Sequence, residues 1–306
     1  MAKKNLERPS FAPRNWGGWF TVGLIWVLGQ MPQGVGRALS RPLGWLVMRL
    51  MKGRQRVAER NIERCFPDLS EKEQEQLVKN HFRSLARMLF ETAWSWAAPE
   101  KRVDRWGDVI NPQYANDLQR QGRGVLMLTA HSTCIEIGGY FTGRATNKPW
   151  IVYRPLKSPV LEWYSNWRRG RYTSGGIGKR VFRTMVAHLK DGGMLWYAPD
   201  QDFGRERSVF APFFGIDAAT LAATVQLVEM TGCAVVPMFC AFDEKTGKYL
   251  SVLQPPLDHF PSGDIVADLA RVNALIEQHV RQYPDQYWWI HRRFKTRPDG
   301  EPPFYD

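Results

Sequence analysis

The chain has 306 residues, a formal net charge of +12 and thirteen tryptophans, long enough to bury a full core as one large domain or one domain plus an appendage. So basic a chain favours an acidic partner, whether nucleic acid, an anionic membrane or an acidic carrier protein. The four cysteines, Cys65, Cys134, Cys233 and Cys240, have neither paired spacing nor a neighbouring ligand cluster. They exclude a disulfide framework and read as reduced thiols of a reducing compartment.

Charge and tryptophan are concentrated at the start. Residues 1–60 hold eleven Lys/Arg against Glu7 and Glu59, nine of the twelve net charges. Tryptophan favours the water–lipid interface, where its ring is half wet. The apolar run 16–31 (WGGWFTVGLIWVLGQM) follows Lys3, Lys4, Arg8 and Arg14. It lacks a small-residue cleavage site, which predicts a retained anchor and not a signal peptide. Sixteen residues is short of the roughly 20 needed to span hydrocarbon. A tilted or shallow membrane helix is therefore preferred to a true span, with a buried core helix as the alternative. Residues 42–51 form a second apolar patch, cut by Arg49, that can lie in the interface beside it. The expected division is a membrane-associated segment over 1–60 and an α/β domain over 61–306.

After Pro67, Ser70-Glu71-Lys72-Glu73 reads as a capping box that starts a long amphipathic helix. Leu77, Val78, His81, Phe82, Leu85 and Leu89 recur at three- and four-residue spacing, and the helix ends before Pro99. His81 falls within the stripe and reads as a core-edge residue. A short helix is expected over 116–121, then an apolar strand over 125–129. Beyond it strands (150–153, 194–198, 234–240, 248–253) alternate with helices (158–171, 179–190, 218–231, 264–282), and 173–178 reads as a glycine-rich loop. This alternation predicts a layered α/β fold with a mostly parallel central sheet flanked by helices.

The stretch that organises the chain is 122–140, GRGVLMLTAHSTCIEIGGY. His131 and Glu136 follow the central strand at its carboxyl end, where open α/β sheets bind ligands. Five positions on a continuous helix turn the chain by about 500°, leaving the two side chains roughly 140° apart. They meet only if His131 lies in the loop and Glu136 in the helix's first turn, where the helix dipole keeps the acid ionised. Two readings of this spacing stay open: His131 as a general base oriented by Glu136, or a helix-capping histidine followed by an ordinary first-turn acid.

Further on, Arg154, Lys157, Arg168, Arg169, Arg171, Lys179, Arg180 and Arg183 face one acid, Glu162. Arginine forks match phosphate oxygens, so such a run beside a base suggests a phosphorylated substrate; a solvated helix face is the alternative. Asp200 and Asp202 follow the strand 194–198. As D-x-D they lack a His or third acid nearby, so a metal is not expected and an orienting or arginine-pairing part is preferred for Asp200. Residues 173–179 lack the G-x-x-x-x-G-K-[ST] pattern of a nucleotide loop, and no G-x-S-x-G is present.

Six blocks in order carry a resemblance over the whole chain. They are the basic, tryptophan-rich start, Arg60-Asn61-Ile62-Glu63-Arg64-Cys65-Phe66-Pro67, the strand with His131 and Glu136, Val152-Tyr153-Arg154-Pro155, Trp196-Tyr197-Ala198-Pro199-Asp200-Gln201-Asp202-Phe203-Gly204, and Gln286-Tyr287-Trp288-Trp289-Ile290-His291-Arg292-Arg293-Phe294-Lys295. The chain resembles the late acyltransferases of lipid A biosynthesis, the lauroyl/myristoyl-transferase family. That resemblance implies acyl transfer from acyl carrier protein to a hydroxyl of a Kdo-bearing lipid A precursor, without cofactor or nucleic acid. The site would lie on the cytoplasmic face of a bacterial inner membrane. It implies His131 as general base with Glu136 fixing its tautomer. It also implies Arg169 as oxyanion or phosphate partner and Asp200 as a site residue; Arg168, Arg171 and Asp202, which come from the cation run and the D-x-D pair and not from the resemblance, are expected as weaker substrate contacts. Two rivals remain at this point: a glycerophosphate or lysophospholipid O-acyltransferase, and a non-catalytic binder of anionic lipid or nucleic acid.

Overall fold

The computed structural model describes residues 7–178 and 181–305; Lys3 and Lys4 of the basic start, and Lys179 and Arg180 of the cation run, lie outside them. Among the described residues the first four α-helices are α1 Trp16–Gln30, α2 Gln33–Leu50, α3 Lys52–Cys65 and α4 Glu71–Ala97. The expected capping box opens α4, with Ser70 N–H donating to Glu73 Oε2 at 2.8 Å and Glu73 N–H to Ser70 Oγ at 3.4 Å. Its apolar stripe is buried through Leu85, and His81 is fully inside, bonded by Nδ1 to the Asp285 carbonyl. Leu89 departs from the stripe and is exposed, while Phe90, Trp94 and Trp96 are buried. The reason is that α1 and α2 pack on α4, with Gly36 of α2 against Phe90 and Trp94 and Gly29 of α1 against Ala93 and Ala97.

Among the described residues the main sheet has seven strands. In chain order the remaining elements are α5 Glu100–Val103, β1 Gly107–Ile110, α6 Gln113–Arg120, β2 Val125–Leu128, α7 Ile135–Ala145, β3 Trp150–Tyr153 and α8 Pro159–Arg169. Next come β4 Gly175–Gly178, α9 Phe182–Lys190, β5 Met194–Tyr197, β6 Ser208–Phe213 and β7 Ile216–Leu221. The last are α10 Ala223–Thr231, β8 Ala234–Asp243, β9 Lys248–Leu253 and α11 Ile265–Gln282. The order across the main sheet is β1-β9-β8-β2-β5-β3-β4. Strands β8, β2, β5, β3 and β4 are parallel to one another, and the β8–β9 hairpin is antiparallel. The mixed α/β fold with a mostly parallel sheet is thus as expected. All four residues of β2 are fully buried, as a central parallel strand requires.

Two expectations are corrected, and one strand was not foreseen. The glycine-rich loop at 173–178 contains β4, whose backbone pairs with β3 from Trp150 opposite Gly175 to Tyr153 opposite Gly178; sheet pairing overrides the weak strand propensity of glycine. Residues 218–231 are not one helix, because 216–221 form β7 in an antiparallel hairpin with β6 and only Ala223–Thr231 is helical. Strand β1, which pairs with β9, was not legible in the short sequence Gly107-Asp108-Val109-Ile110.

Among the described residues no helix is long and apolar enough to cross a membrane. Instead α1 packs one side on α4 and α8 and leaves Trp16, Phe20, Leu24, Trp26 and Val27 exposed, Phe20 by 77%. Helix α2 likewise exposes Val35, Leu39, Trp45, Leu46 and Leu50.

Candidate active site

Strands β2 and β5 lie side by side in parallel, with Leu128 opposite Tyr197. The Thr129 N–H donates to the Tyr197 carbonyl at 2.9 Å, so both chains leave the sheet in phase. His131 and Asp200 each stand three residues past that register pair. They meet: His131 Nδ1 lies 2.6 Å from Asp200 Oδ1, and the His131 backbone N–H donates to Asp200 Oδ2 at 2.9 Å.

Asp200 is 2% exposed. Burial opposes its charge, but the charge and hydrogen bonds of His131, aided by Arg293, hold its carboxyl below the usual aspartate range. Burial also opposes the imidazolium of His131, and Asp200 outweighs it, raising the imidazole above an ordinary histidine. An ionised carboxylate only accepts, so the His131 proton sits on Nδ1 and Nε2 offers a lone pair. Nε2 has no hydrogen-bond partner among the described residues, and 29% of the side chain remains exposed.

Glu136 stands in the first turn of α7, as expected, yet its partner is not His131. Its Oε1 accepts from Trp96 Nε1 at 2.7 Å, Arg169 Nε at 2.9 Å and the Tyr172 hydroxyl at 2.5 Å, and Oε2 accepts Arg169 Nη2 at 2.5 Å. The expected His131–Glu136 hydrogen bond is therefore corrected. The strand register gives the imidazole to Asp200, and a guanidinium fork with two further donors fills the glutamate. Burial works against the Glu136 charge, and Arg169 followed by those donors still brings its carboxyl below the usual range. Helix α7 lies close on the sheet because Gly138 and Gly139 carry no side chain: a Cβ there would collide with Cys240 and with the Trp196 ring.

The other cations fall into separate groups. Arg168 donates to the Trp96 carbonyl, and Arg171 to the Ser95 and Ala98 carbonyls and to Glu100. These carbonyls lie at the end of α4 and have no partner within the helix, so Arg168 and Arg171, expected as weaker substrate contacts, also cap that helix end. Arg154, Lys157 and Arg183 are exposed. Glu162 is occupied by the Tyr153 hydroxyl, the Leu156 N–H and Asn166. Asp202, expected as a weaker substrate contact, fastens its loop: its carboxylate accepts from Gly204 N–H, Thr296 N–H and Thr296 Oγ1.

Sequence reasoning missed Trp96 and Tyr172 as partners of Glu136, and it left the His131–Asp200 contact unseen. Equal offsets of the two residues from adjacent strand ends were the available signal. It also left the tail without a place. That segment lies against the His131 loop, with Ser132 bridged to Tyr287 and the Thr133 N–H donating to the Gln286 carbonyl at 2.8 Å. Among the described residues no group of three or more His, Cys, Asp or Glu side chains could hold a metal ion.

The family model of bacterial lipid A biosynthesis acyltransferases matches residues 4–296. The lipid A biosynthesis lauroyltransferase of Escherichia coli (strain K12) is similar, at 38% identity over 98% of this chain and 99% of its own. The palmitoleoyltransferase of the same organism is 36% identical over 98% of both chains. Its myristoyltransferase is 30% identical over 94% of this chain and 90% of its own. A solved chain, the 1-acyl-sn-glycerophosphate acyltransferase PlsC of Thermotoga maritima, covers 81% of this chain and 97% of its own at TM-score 0.38 and 14% identity, too loose a likeness to assign anything.

Proposed function

The chain belongs to the bacterial lipid A biosynthesis acyltransferase family and is an acyltransferase, and from that premise we propose that it esterifies a hydroxyl of a Kdo-bearing lipid A precursor with an acyl chain drawn from acyl carrier protein. One observation carries the chemistry: a histidine whose Nδ1 is held by a buried aspartate while Nε2 stays free. His131 Nε2 takes the proton of the acceptor hydroxyl as that oxygen attacks the thioester carbonyl. Asp200 fixes the tautomer and stabilises the imidazolium that forms. The carbon–sulfur bond breaks, the new ester forms, and the imidazolium returns its proton to the departing thiolate. No acyl-enzyme is invoked, since Cys134 is fully buried and burial pushes its thiol well above the ordinary value.

Glu136 and Arg169 would hold α7, and with it the His131 loop, while the Arg169 charge serves a developing oxyanion. The exposed apolar residues of α1 and α2, beside the basic start, would rest on the anionic cytoplasmic face of the inner membrane. The test uses purified full-length protein, an acyl–acyl carrier protein and a Kdo-bearing tetra-acyl precursor, read by mass spectrometry. The expected product is the precursor heavier by one ester-linked acyl chain, with His131→Ala giving none. Acylation of a lysophospholipid with the precursor left unchanged would overturn the proposed acceptor.

A further inference from the structure

Two loops carry His131 and Asp200, and a third segment, residues 286–296, is bonded to both. Toward the first loop, Trp288 N–H donates to the His131 carbonyl at 3.2 Å, one residue beyond the Ser132–Tyr287 bridge. Toward the second, the Asp202 N–H donates to His291 Nε2 at 3.1 Å, and the Asp202 carboxylate accepts Thr296 N–H at 2.7 Å and Thr296 Oγ1 at 2.8 Å. This strap has no strand ladder of its own, so its backbone groups need partners from elsewhere. Asn61 of α3, 1% exposed, supplies them: its Nδ2 donates to the Trp289 carbonyl at 2.7 Å and the His291 carbonyl at 2.9 Å, while Oδ1 accepts the Tyr305 hydroxyl at 2.6 Å. Helix α3 is thereby tied to the aspartate loop through one histidine.

We propose that His291 is a positioning residue for acyl transfer: anchored by Asn61 and accepting the Asp202 N–H, it sets the loop that brings Asp200 onto His131. The inference rests on His131 being the general base. A histidine accepts at Nε2 only when that nitrogen is unprotonated. Burial holds His291 in that state, bringing it down to about 4 against the pull of Asp200 and Asp202 and with the help of His131 and Arg293. The clamp therefore stays closed across the range in which His131 titrates. The groups facing that titration are Asp200 on the neighbouring loop, His291 and Arg293 on the strap, and the buried Tyr287 phenol beside Asp200.

The experiment measures kcat, acceptor KM and the acid limb of kcat/KM in full-length protein, with thermal unfolding as the check on folding. In His291→Leu the Asp202 N–H loses its acceptor. The expected result is a kcat lower by about ten- to a hundredfold at unchanged acceptor KM. The acid limb should move to lower pH, because His131 loses the partner that raises it. His291→Gln, whose Oε1 can accept the same N–H, should keep the wild-type limb and most of kcat. Thr296→Val, which removes one bond to Asp202, should move the limb the same way by a smaller amount.

A folded His291→Leu with wild-type kcat and limb would overturn the proposal, as would His291→Gln failing as badly as His291→Leu. A raised acceptor KM with an unmoved limb would make His291 a substrate contact instead. Should His291→Leu not fold, an unmoved limb in Thr296→Val rejects the clamp. Full activity in His131→Ala would reject the base itself, a separate outcome.

Discussion

Asp200 holds His131 twice, through Nδ1 at 2.6 Å and through the backbone N–H at 2.9 Å. The first bond raises the imidazole pKa and the second fixes the loop that carries it. A general base works when neutral, so kcat/KM should rise with pH through a His131 value above that of an ordinary histidine. Asp200→Asn removes the charge and can present an N–H to Nδ1, favouring the wrong tautomer. The acid limb should then shift to lower pH while kcat falls by about 10² or more. Stability follows the same shifts. The raised His131 value stabilises the fold fully below the ordinary histidine pKa, and that contribution is lost as pH rises through the folded value. The depressed Asp200 value acts above the ordinary aspartate pKa and is lost as pH falls through its own folded value. An acid limb in Asp200→Asn identical to wild type would separate Asp200 from the base.

Glu136 and Arg169 form a mostly buried pair, with side chains 13% and 20% exposed. Removing one partner leaves the other's charge uncompensated, so Glu136→Ala and Arg169→Ala should each destabilise by about 3 kcal/mol in denaturant unfolding. The double variant Glu136→Gln/Arg169→Met removes both charges and should recover much of that loss. Activity is the discriminating readout. Arg169→Lys keeps the charge and loses the fork. If the arginine serves an oxyanion, kcat should fall with little change in acceptor KM; if it grips a ground-state phosphate, KM should rise while kcat holds. Full turnover in both Arg169→Lys and the double variant would leave the pair a structural brace alone.

Arg168 and Arg171 should behave differently, because their donors are given to the carbonyls at the end of α4. Hydrogen bonds from charged groups contribute about 1.5–3 kcal/mol. Arg171→Ala should therefore lower the unfolding midpoint while acceptor KM stays within twofold in the folded fraction. A several-fold rise in KM at unchanged stability would return Arg171 to the acceptor's phosphates.

What the sequence made legible follows from the range of the forces involved. The α4 capping box, the α11 stripe and the buried run of β2 are local patterns, and each appears where its residues put it. The positions of His131 and Glu136 at a strand end and a helix first turn were also local. Their partners were not. Asp200 comes 69 residues after His131 and meets it through the β2–β5 register. Trp96 and Tyr172 reach Glu136 from α4 and from just past α8, which no spacing within one segment announces. The β6–β7 hairpin was hidden because Ala218-Ala219-Thr220-Leu221-Ala222-Ala223 reads as good helix until its pairing with 208–213 is known.

The exposed apolar faces of α1 and α2 should seat the protein on an anionic membrane. Phe20 is 77% exposed and Trp45 54%, and Trp19, Trp163 and Trp167 form a ring cluster where α1 meets α8. Aromatic rings half covered by protein suit the headgroup level of a bilayer. The arginines around them would add about 1 kcal/mol each on an anionic surface. Phe20→Glu combined with Leu24→Glu should leave the fold intact, since both side chains face away from α4. It should weaken adsorption to anionic vesicles by tenfold or more and make the remainder salt-sensitive. Vesicle co-sedimentation at low and high salt is the measurement. Wild-type binding at high salt in the double variant would move the membrane contact off α1.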